Sequence, residues 1–285
     1  MRTFNNISNL QKHLIELKNN DKTIGFVPTM GALHNGHISL IKQSCNENDI
    51  TICSIFINPT QFNNSGDLDS YPRTMEADIN MLEAANCDIV FTPTIETMYP
   101  ENSENLEKEI IFNFGSLELV MEGKDRPGHF QGVGTIVKKL FDIIKPNNAY
   151  FGKKDYQQLL IIKELTKQYD LTPQIIGCEI IRENDGLAMS SRNMRLSDEQ
   201  RTQAPFIRKT MIWAKENKNN YSPTELILEV EKRINSNTEM KIGYFEISEA
   251  DTLIKCEQWK DNTNYIAFIV VEMGDIRLID NIELF

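Results

Sequence analysis

Two histidines with a two-residue gap, His34 and His37, are the side chains in this sequence whose type and spacing first suggest chemistry. They sit in Pro28-Thr29-Met30-Gly31-Ala32-Leu33-His34-Asn35-Gly36-His37. An apolar run from Ile24 to Val27 comes before and predicts a strand, with a turn through Pro28 to Gly31. Ile38, Leu40 and Ile41 come after and begin a helical pattern. Imidazoles at such a junction lie beside the unpaired N–H groups and positive dipole end of a helix, a place that suits a phosphate. Gly36 leaves room for a flat base or a sugar to approach the backbone. Taken alone, a His pair of this spacing is more often a surface or hydrogen-bonded structural feature. Zinc fits poorly, because the metalloprotease pattern needs His at i and i+4 with an intervening Glu, and no Cys stands at a ligand spacing.

The strand–loop–helix context favours the chemical reading. HxGH after a strand and a Pro-Thr-Met-Gly turn resembles the nucleotidylyl-transferase superfamily, related to class I aminoacyl-tRNA synthetases. That resemblance implies a His pair stabilising charge as the α-phosphate of ATP is attacked.

The elements that must position these residues repeat a simple order. Ile7–Leu17 predicts a helix, Asp49–Ile57 a second strand, Arg73–Ala85 a helix and Asp88–Pro93 a third strand. Asn102–Lys108 reads as an exposed loop, Ile110–Phe114 as a short strand and Leu117–Glu122 as a helical turn. Gly132–Ile144 is a helix with one apolar face, Asn148–Phe151 a fourth strand, Tyr156–Gln168 a helix and Gln174–Ile181 a fifth strand. This alternation predicts an α/β fold with a Rossmann-like, doubly wound parallel sheet. After residue 182 the texture changes to polar helices, near 198–217 and 222–236, and alternating strands near 242–249, 264–272 and 276–284. We therefore expect a Rossmann-like domain over 1–182 and a smaller α+β C-terminal lid domain over 183–285.

Each candidate segment follows a predicted strand: His34 and His37 the first, Gln61 the second, Lys154-Asp155 the fourth, Ser190-Ser191-Arg192 the fifth. In a parallel sheet those ends share one edge, so separate loops converge on one cleft. Lys154 and Arg192 would bring positive charge to a triphosphate that keeps its Mg²⁺. Asp155 reads equally well as a helix N-cap. Gln61 and Gln158 offer neutral amides to a carboxylate or hydroxyl. Arg126 and His129 flank a rigid Pro127-Gly128 turn, and Met30 and Met189 could lie against a base or an apolar substrate group, although core filler is the commoner role for either.

Composition narrows the class. The 285 residues carry 30 Lys and Arg against 41 Asp and Glu, a formal charge of −11, which argues against a nucleic-acid partner. The five Cys form no CxxC pair and read as reduced thiols. The N-terminus lacks the apolar core of a signal peptide, and no apolar run would span a membrane, so a cytoplasmic protein is expected.

PTMGALHNGH, FINPTQF, Tyr71-Pro72-Arg73, RPGHFQGV, FGKKDYQQL and MSSRN occur in this order. Together they resemble the pantothenate synthetase (pantoate–β-alanine ligase) family, over about residues 23 to 195 and more weakly beyond. The resemblance implies an ATP-dependent ligase, usually a homodimer, that joins (R)-pantoate to β-alanine through a pantoyl adenylate and releases AMP and pyrophosphate. It implies ATP contacts at Met30, Gly31, Ala32, Leu33, His34, Asn35, Gly36 and His37, at Gly152, Lys153, Lys154 and Asp155, at Ile181, and at Met189, Ser190, Ser191 and Arg192. His37, His34, Lys154 and Arg192 would be catalytic. Gln61, Gln158, Asn58, Arg126 and His129 would face pantoate, and Gln61 also β-alanine. Mg²⁺ would arrive with ATP, without a dedicated protein metal site. Lys153 stands where the family often has Glu, and Asn35 replaces a frequent Glu at a position expected to face outward. Two other classes share part of the pattern: a nucleotidyl transferase whose product keeps AMP, and a nucleotide sensor without catalysis.

Overall fold

A computed structural model describes residues 1–63, 65–100 and 110–285. The segment expected as a loop at Asn102–Lys108 lies outside the described residues. Six strands form one parallel sheet: β1 (Arg2–Phe4), β2 (Ile24–Thr29), β3 (Ile50–Ile55), β4 (Ile89–Phe91), β5 (Asn148–Gly152) and β6 (Gln174–Cys178), in spatial order β1-β4-β3-β2-β5-β6. Helices α1 (Ile7–Lys18), α2 (Asn35–Glu47), α3 (Ser65–Asp69), α4 (Met75–Ala84), α5 (Ile95–Met98), α6 (Met121–Asp125), α7 (His129–Ile144) and α8 (Tyr156–Gln168) connect them.

The strands are apolar on both faces because helices cover both. Phe26, Ile52, Phe91 and Phe151 pack with Leu10 and Leu14 of α1, Val133, Val137 and Phe141 of α7 and Ile161 of α8. Val27, Cys53, Val90 and Tyr150 pack with Ile38 and Ile41 of α2 and Leu82 of α4 on the other side.

The chain order reverses between β2 and β5. Those two strands pair only at Gly25↔Asn148 and Phe26↔Ala149. Beyond Phe26 they part, and β2 continues through Pro28 and Thr29 paired with β3 alone. Pro28 has no N–H to give to a neighbour, so the pairing with β5 ends where a proline can stand. The expected turn at Pro28-Thr29 is thus the last part of the strand. A crevice opens at this switch point, beyond the carboxyl ends of the strands.

Two other expectations change. Arg2–Phe4 is an additional edge strand, paired to Ile89–Phe91. Ile110–Phe114 is not a strand, although its alternation is real: Phe112 and Phe114 are buried while Ile111 is exposed. The amide of Gln131 on α7 takes the place of a partner strand, accepting from Phe112 N–H and donating to Phe112 O, both at 2.9 Å.

The C-terminal part is a three-stranded antiparallel sheet, β7 (Lys241–Glu249), β8 (Tyr265–Met273) and β9 (Ile276–Glu283), after α9 (Asp198–Gln203), α10 (Phe206–Asn217) and α11 (Pro223–Asn235). Ile207, Met211, Leu226 and Val230 pack on Phe245, Ile247, Ile269 and Leu278. A separate apolar cluster, with Met121 and Leu160 against Leu253, Ile266 and Phe268, joins the two sheets' layers.

Candidate active site

A cleft of about 230 Å³ occupies the switch point, and an adjoining cavity of about 640 Å³ lies toward the C-terminal sheet. Lys154, Asp155, Gln158, Ser190 and Arg192 face both.

His34 is the N-cap of α2. Its Nδ1 accepts the N–H of Gly36 at 3.1 Å, and Nδ1 of His37 accepts the N–H of His34 at 3.3 Å. This is a capping box built from two imidazoles instead of a hydroxyl and a carboxylate. The rings lie 4.0 Å apart. Because each Nδ1 is an acceptor, each neutral ring carries its proton on Nε2, which is left to donate to a ligand. Burial, with Lys154 nearby, takes the His34 pKa down to about 4; burial, with His34 beside it, takes His37 down to about 3. Both are uncharged donors at neutral pH. A Cβ on Gly36 would stand 2.7 Å from Cε1 of His34, so this glycine makes room for the His34 ring before any base or sugar. Asn35 is exposed, as expected.

The loop before α2 depends on a residue that the motif reading passed over. Gly31 and Ala32 have φ of 80° and 50°. The buried carboxylate of Asp78 on α4 accepts from Ala32 N–H at 3.0 Å, Leu33 N–H at 2.8 Å and Thr74 Oγ1–H at 3.1 Å. Ser191 Oγ–H donates to Ala32 O at 3.0 Å, tying the loop after β6 to the loop after β2. Met30, His34, Gly36 and His37 line the cleft, while Gly31, Ala32 and Leu33 are buried and do not line it. The signal for Asp78 was a carboxylate four residues before the core residue Leu82, on the apolar face of a helix.

After β3, Gln61 is buried beside Met30. Its Nε2–H donates to the Met30 sulfur at 2.9 Å and its Oε1 accepts from Asn58 at 3.3 Å. Asn58 is committed within the protein: its amide donates to Gly132 O at 3.1 Å, and Oδ1 accepts from Tyr99 at 2.8 Å. His129 donates from Nδ1 to Gln61 O at 2.8 Å and accepts at Nε2 from Arg126 at 3.2 Å. Both ring nitrogens are engaged, so His129 supports Gln61 from behind. Burial and then Arg126 lower its pKa to about 4. Arg126 and His129 face the larger cavity and not the cleft.

The Gln157-Gln158 pair separates by helix register. Gln157 is buried and donates to Leu117 O at 2.7 Å and Val120 O at 2.8 Å. Gln158 faces both cavities.

The two lysines after β5 separate as well. Lys153 pairs with Glu179 at the edge of the sheet. Lys154 turns into the cleft, with its Nζ 3.4 Å from Asp155. Asp155 stands at the N-cap position of α8, yet its side chain caps nothing. Burial raises its pKa, but Lys154 and Arg192 outweigh that and leave it below the usual value. Ile181 and Met189 both line the cleft, joined by Met189 N–H to Ile181 O at 3.0 Å. Arg192 reaches Asp67 of α3 at 3.0 Å, and Arg195 reaches the other oxygen of the same carboxylate at 3.2 Å.

A donor pair at a helix N-terminus, a lysine and an arginine now face neutral amides across one cleft. The family model described as pantoate-beta-alanine ligase matches residues 2–283. The chain belongs to the pantoate–β-alanine ligase family. It is 46% identical to the pantothenate synthetase of Bacteroides fragilis, over 99% of both chains. It superposes on the crystal structure of pantothenate synthetase from Thermus thermophilus with a TM-score of 0.90, 36% identity and full coverage of both chains. The pantoate-beta-alanine ligase of Francisella tularensis, solved with beta-gamma ATP and β-alanine, gives a TM-score of 0.82 at 38% identity, over 100% of this chain and 98% of that one.

In this pantoate–β-alanine ligase the three imidazoles have a consequence for stability. His34, His37 and His129 all have folded pKa values below their ordinary 6.5. As pH falls, the unfolded chain therefore takes up protons first, and stability declines with it. The contribution of these groups is full above about pH 6.5 and is lost progressively as pH falls, toward about 4 for His34 and His129 and about 3 for His37. Thermal unfolding is expected at a clearly lower temperature at about pH 5 than at about pH 7.5, with a smaller difference in His129→Gln. Equal midpoints at the two pH values would contradict the neutral assignment.

Proposed function

We propose that this cleft performs the ligation in two half-reactions, activating the carboxylate of (R)-pantoate with ATP and then passing the acyl group to β-alanine. The chain is a pantoate–β-alanine ligase by family, and condensation of those two substrates is its activity. The observation that carries the mechanism is the meeting of the two Nε2–H donors of His34 and His37 with Lys154 and Arg192 in one cleft, opposite Gln61 and Gln158.

In the first half-reaction a pantoate carboxylate oxygen forms a bond to the α-phosphorus of Mg²⁺–ATP and the bond to pyrophosphate breaks. Charge grows on the phosphate oxygens. Preset donors aimed at that charge are the main means of stabilising it, and neutral imidazoles do so without a desolvated ion pair. Lys154 brings a cation into the cleft. Arg192 is held by Asp67 and would exchange that carboxylate for a phosphate oxygen. In the second half-reaction the uncharged amine of β-alanine attacks the acyl carbon, AMP leaves and the amine gives up a proton. The mixed anhydride is already activated, so no protein nucleophile is needed. The cleft must hold the amine in line and keep water out.

Gln61 and Gln158 would hold pantoate. Gln61 has one N–H remaining after its contact with Met30, and we assign it to β-alanine as well. Among the described residues no three His, Cys, Asp or Glu side chains come together as a metal site requires. We assign Mg²⁺ to the triphosphate as part of the substrate; Asp155 and Glu179 are the carboxylates that line the cleft, and Asp67 faces the adjoining cavity.

We further propose that residues 1–182 and 183–285 act as separate units, the second a lid that brings Ser190 to Arg192 onto the phosphates. A homodimer is proposed as well, on the family resemblance. The cytosol is the compartment proposed; the five cysteines are free, and among the described residues no helix is long and apolar enough to cross a membrane.

ATP–pyrophosphate exchange with pantoate and without β-alanine tests the two-step order. Pantoate-dependent exchange supports it, and absence of exchange in folded protein that binds both substrates rejects it. Gln158→Ala is expected to weaken pantoate binding about tenfold while ATP binding changes little, as for loss of a hydrogen bond to a charged group. An unchanged pantoate titration would remove Gln158 from that role.

A further inference from the structure

We infer that Asn281, on β9 of the C-terminal sheet, is a positioning residue for Lys154. This rests on the assignment of the Gly152–Asp155 turn to ATP. The turn is a single 3₁₀ turn over Lys153–Asp155, and no side chain of its own caps it. Two of its carbonyls are instead held from the other unit. The side-chain amide of Asn281 donates to Lys153 O at 2.8 Å and to Lys154 O at 3.0 Å. Asn281 is itself buried. Its backbone N–H donates to Asp280 Oδ1 at 2.8 Å, and Asp280 receives both nitrogens of Arg182 at 2.7 and 2.9 Å. Arg182 also donates to Gly186 O at 3.2 Å and is bridged to Ala188, one residue before Met189. One strand dipeptide, Asp280-Asn281, thus anchors both segments that would face the triphosphate. It places Lys154 relative to Ser190–Arg192 from outside the parallel sheet.

The chemistry requires an amide at 281. Two carbonyl oxygens need two N–H donors, and an aspartate of the same shape would set carboxylate oxygens against them. Buried polar groups that lose their partners are costly, so the turn would shift rather than stay.

The test is steady-state kinetics of the full chain with each of the three substrates varied, for wild type, Asn281→Asp, Asn281→Ala and Lys154→Ala, with thermal unfolding of each. Asn281→Asp is expected to raise KM for ATP about tenfold, with the KM values for pantoate and β-alanine within about twofold of wild type. Asn281→Ala, which removes the donors without adding charge, moves the same constant by less, and it decides the question if Asn281→Asp does not fold. A merely structural role would lower kcat with the folded fraction and leave the KM values alone. That result, an unchanged KM for ATP, or a parallel rise of all three KM values overturns the inference. If Lys154→Ala impairs ATP use and the Asn281 variants do not, Asn281 alone is misassigned. If Lys154→Ala is also silent, the assignment of the turn to ATP fails and this inference fails with it.

Discussion

Replacing His37 by alanine is expected to lower pantoate-dependent ATP–pyrophosphate exchange by about 10²- to 10³-fold, the usual cost of removing one preset donor from a developing oxyanion. The ring does two jobs that can be separated. Its Nδ1 caps the helix by accepting from His34 N–H, and its Nε2–H faces the cleft. Loss of the cap costs about 0.5–2 kcal/mol of stability, which a folded domain of this size tolerates. Loss of the donor costs rate. His37→Asn can keep a cap without reaching the Nε2 position, so it is expected to regain stability and stay slow. His34→Ala acts in the same direction, and because the two rings touch, the double variant is expected to fall short of the product of the single effects. Exchange within about threefold of wild type in folded His37→Ala would take this residue out of the chemistry. The acid limb of kcat/KM gives a second check. With both histidines below their ordinary pKa, the limb they set lies near pH 4 and not near 6.5.

Lys154→Ala is expected to reduce the same exchange by about 10²-fold or more, whereas Lys153→Ala changes it by less than about threefold. The two lysines are adjacent and carry the same charge, so any model based on net charge predicts equal effects. The structure separates them. Lys153 is paired with Glu179 at the sheet edge, where an exposed ion pair contributes little. Lys154 is largely buried and faces both cavities. Isothermal titration with a non-hydrolysable ATP analogue, alongside the exchange assay, separates weaker binding from slower chemistry. Equal losses in the two variants would mean that the turn acts as a general basic patch.

Much of the site was legible in the sequence because parallel sheets impose a simple rule. Segments that follow successive strands end on one edge, so PTMGALHNGH, FINPTQF, FGKKDYQQL and MSSRN had to converge wherever the strands lay. The long apolar strands and helices could be read from periodicity, since burial on both faces leaves little freedom in residue type. Short elements were not. The edge strand Arg2–Phe4 is three residues long and lies half in solvent, and Phe112 satisfies its backbone with a glutamine side chain in place of a strand.

Within the site, residue types and their order along the chain were determined locally, and the direction of each side chain was not. Whether Gln157 or Gln158 faces the cleft depends on about 100° of helix rotation, set by how α8 packs on the sheet. Whether Lys153 or Lys154 enters it depends on a turn held by Asn281, more than a hundred residues later. Asp78 behind the first loop and Arg126 with His129 behind Gln61 are likewise contacts between distant segments. The sequence by itself determined the chemistry available to this protein, through a His pair on a helix start, a lysine, an arginine and neutral amides at strand ends. Only the tertiary structure decided which of these groups are donors left open to a ligand and which are already bonded within the protein, because that depends on long-range packing that no local pattern encodes.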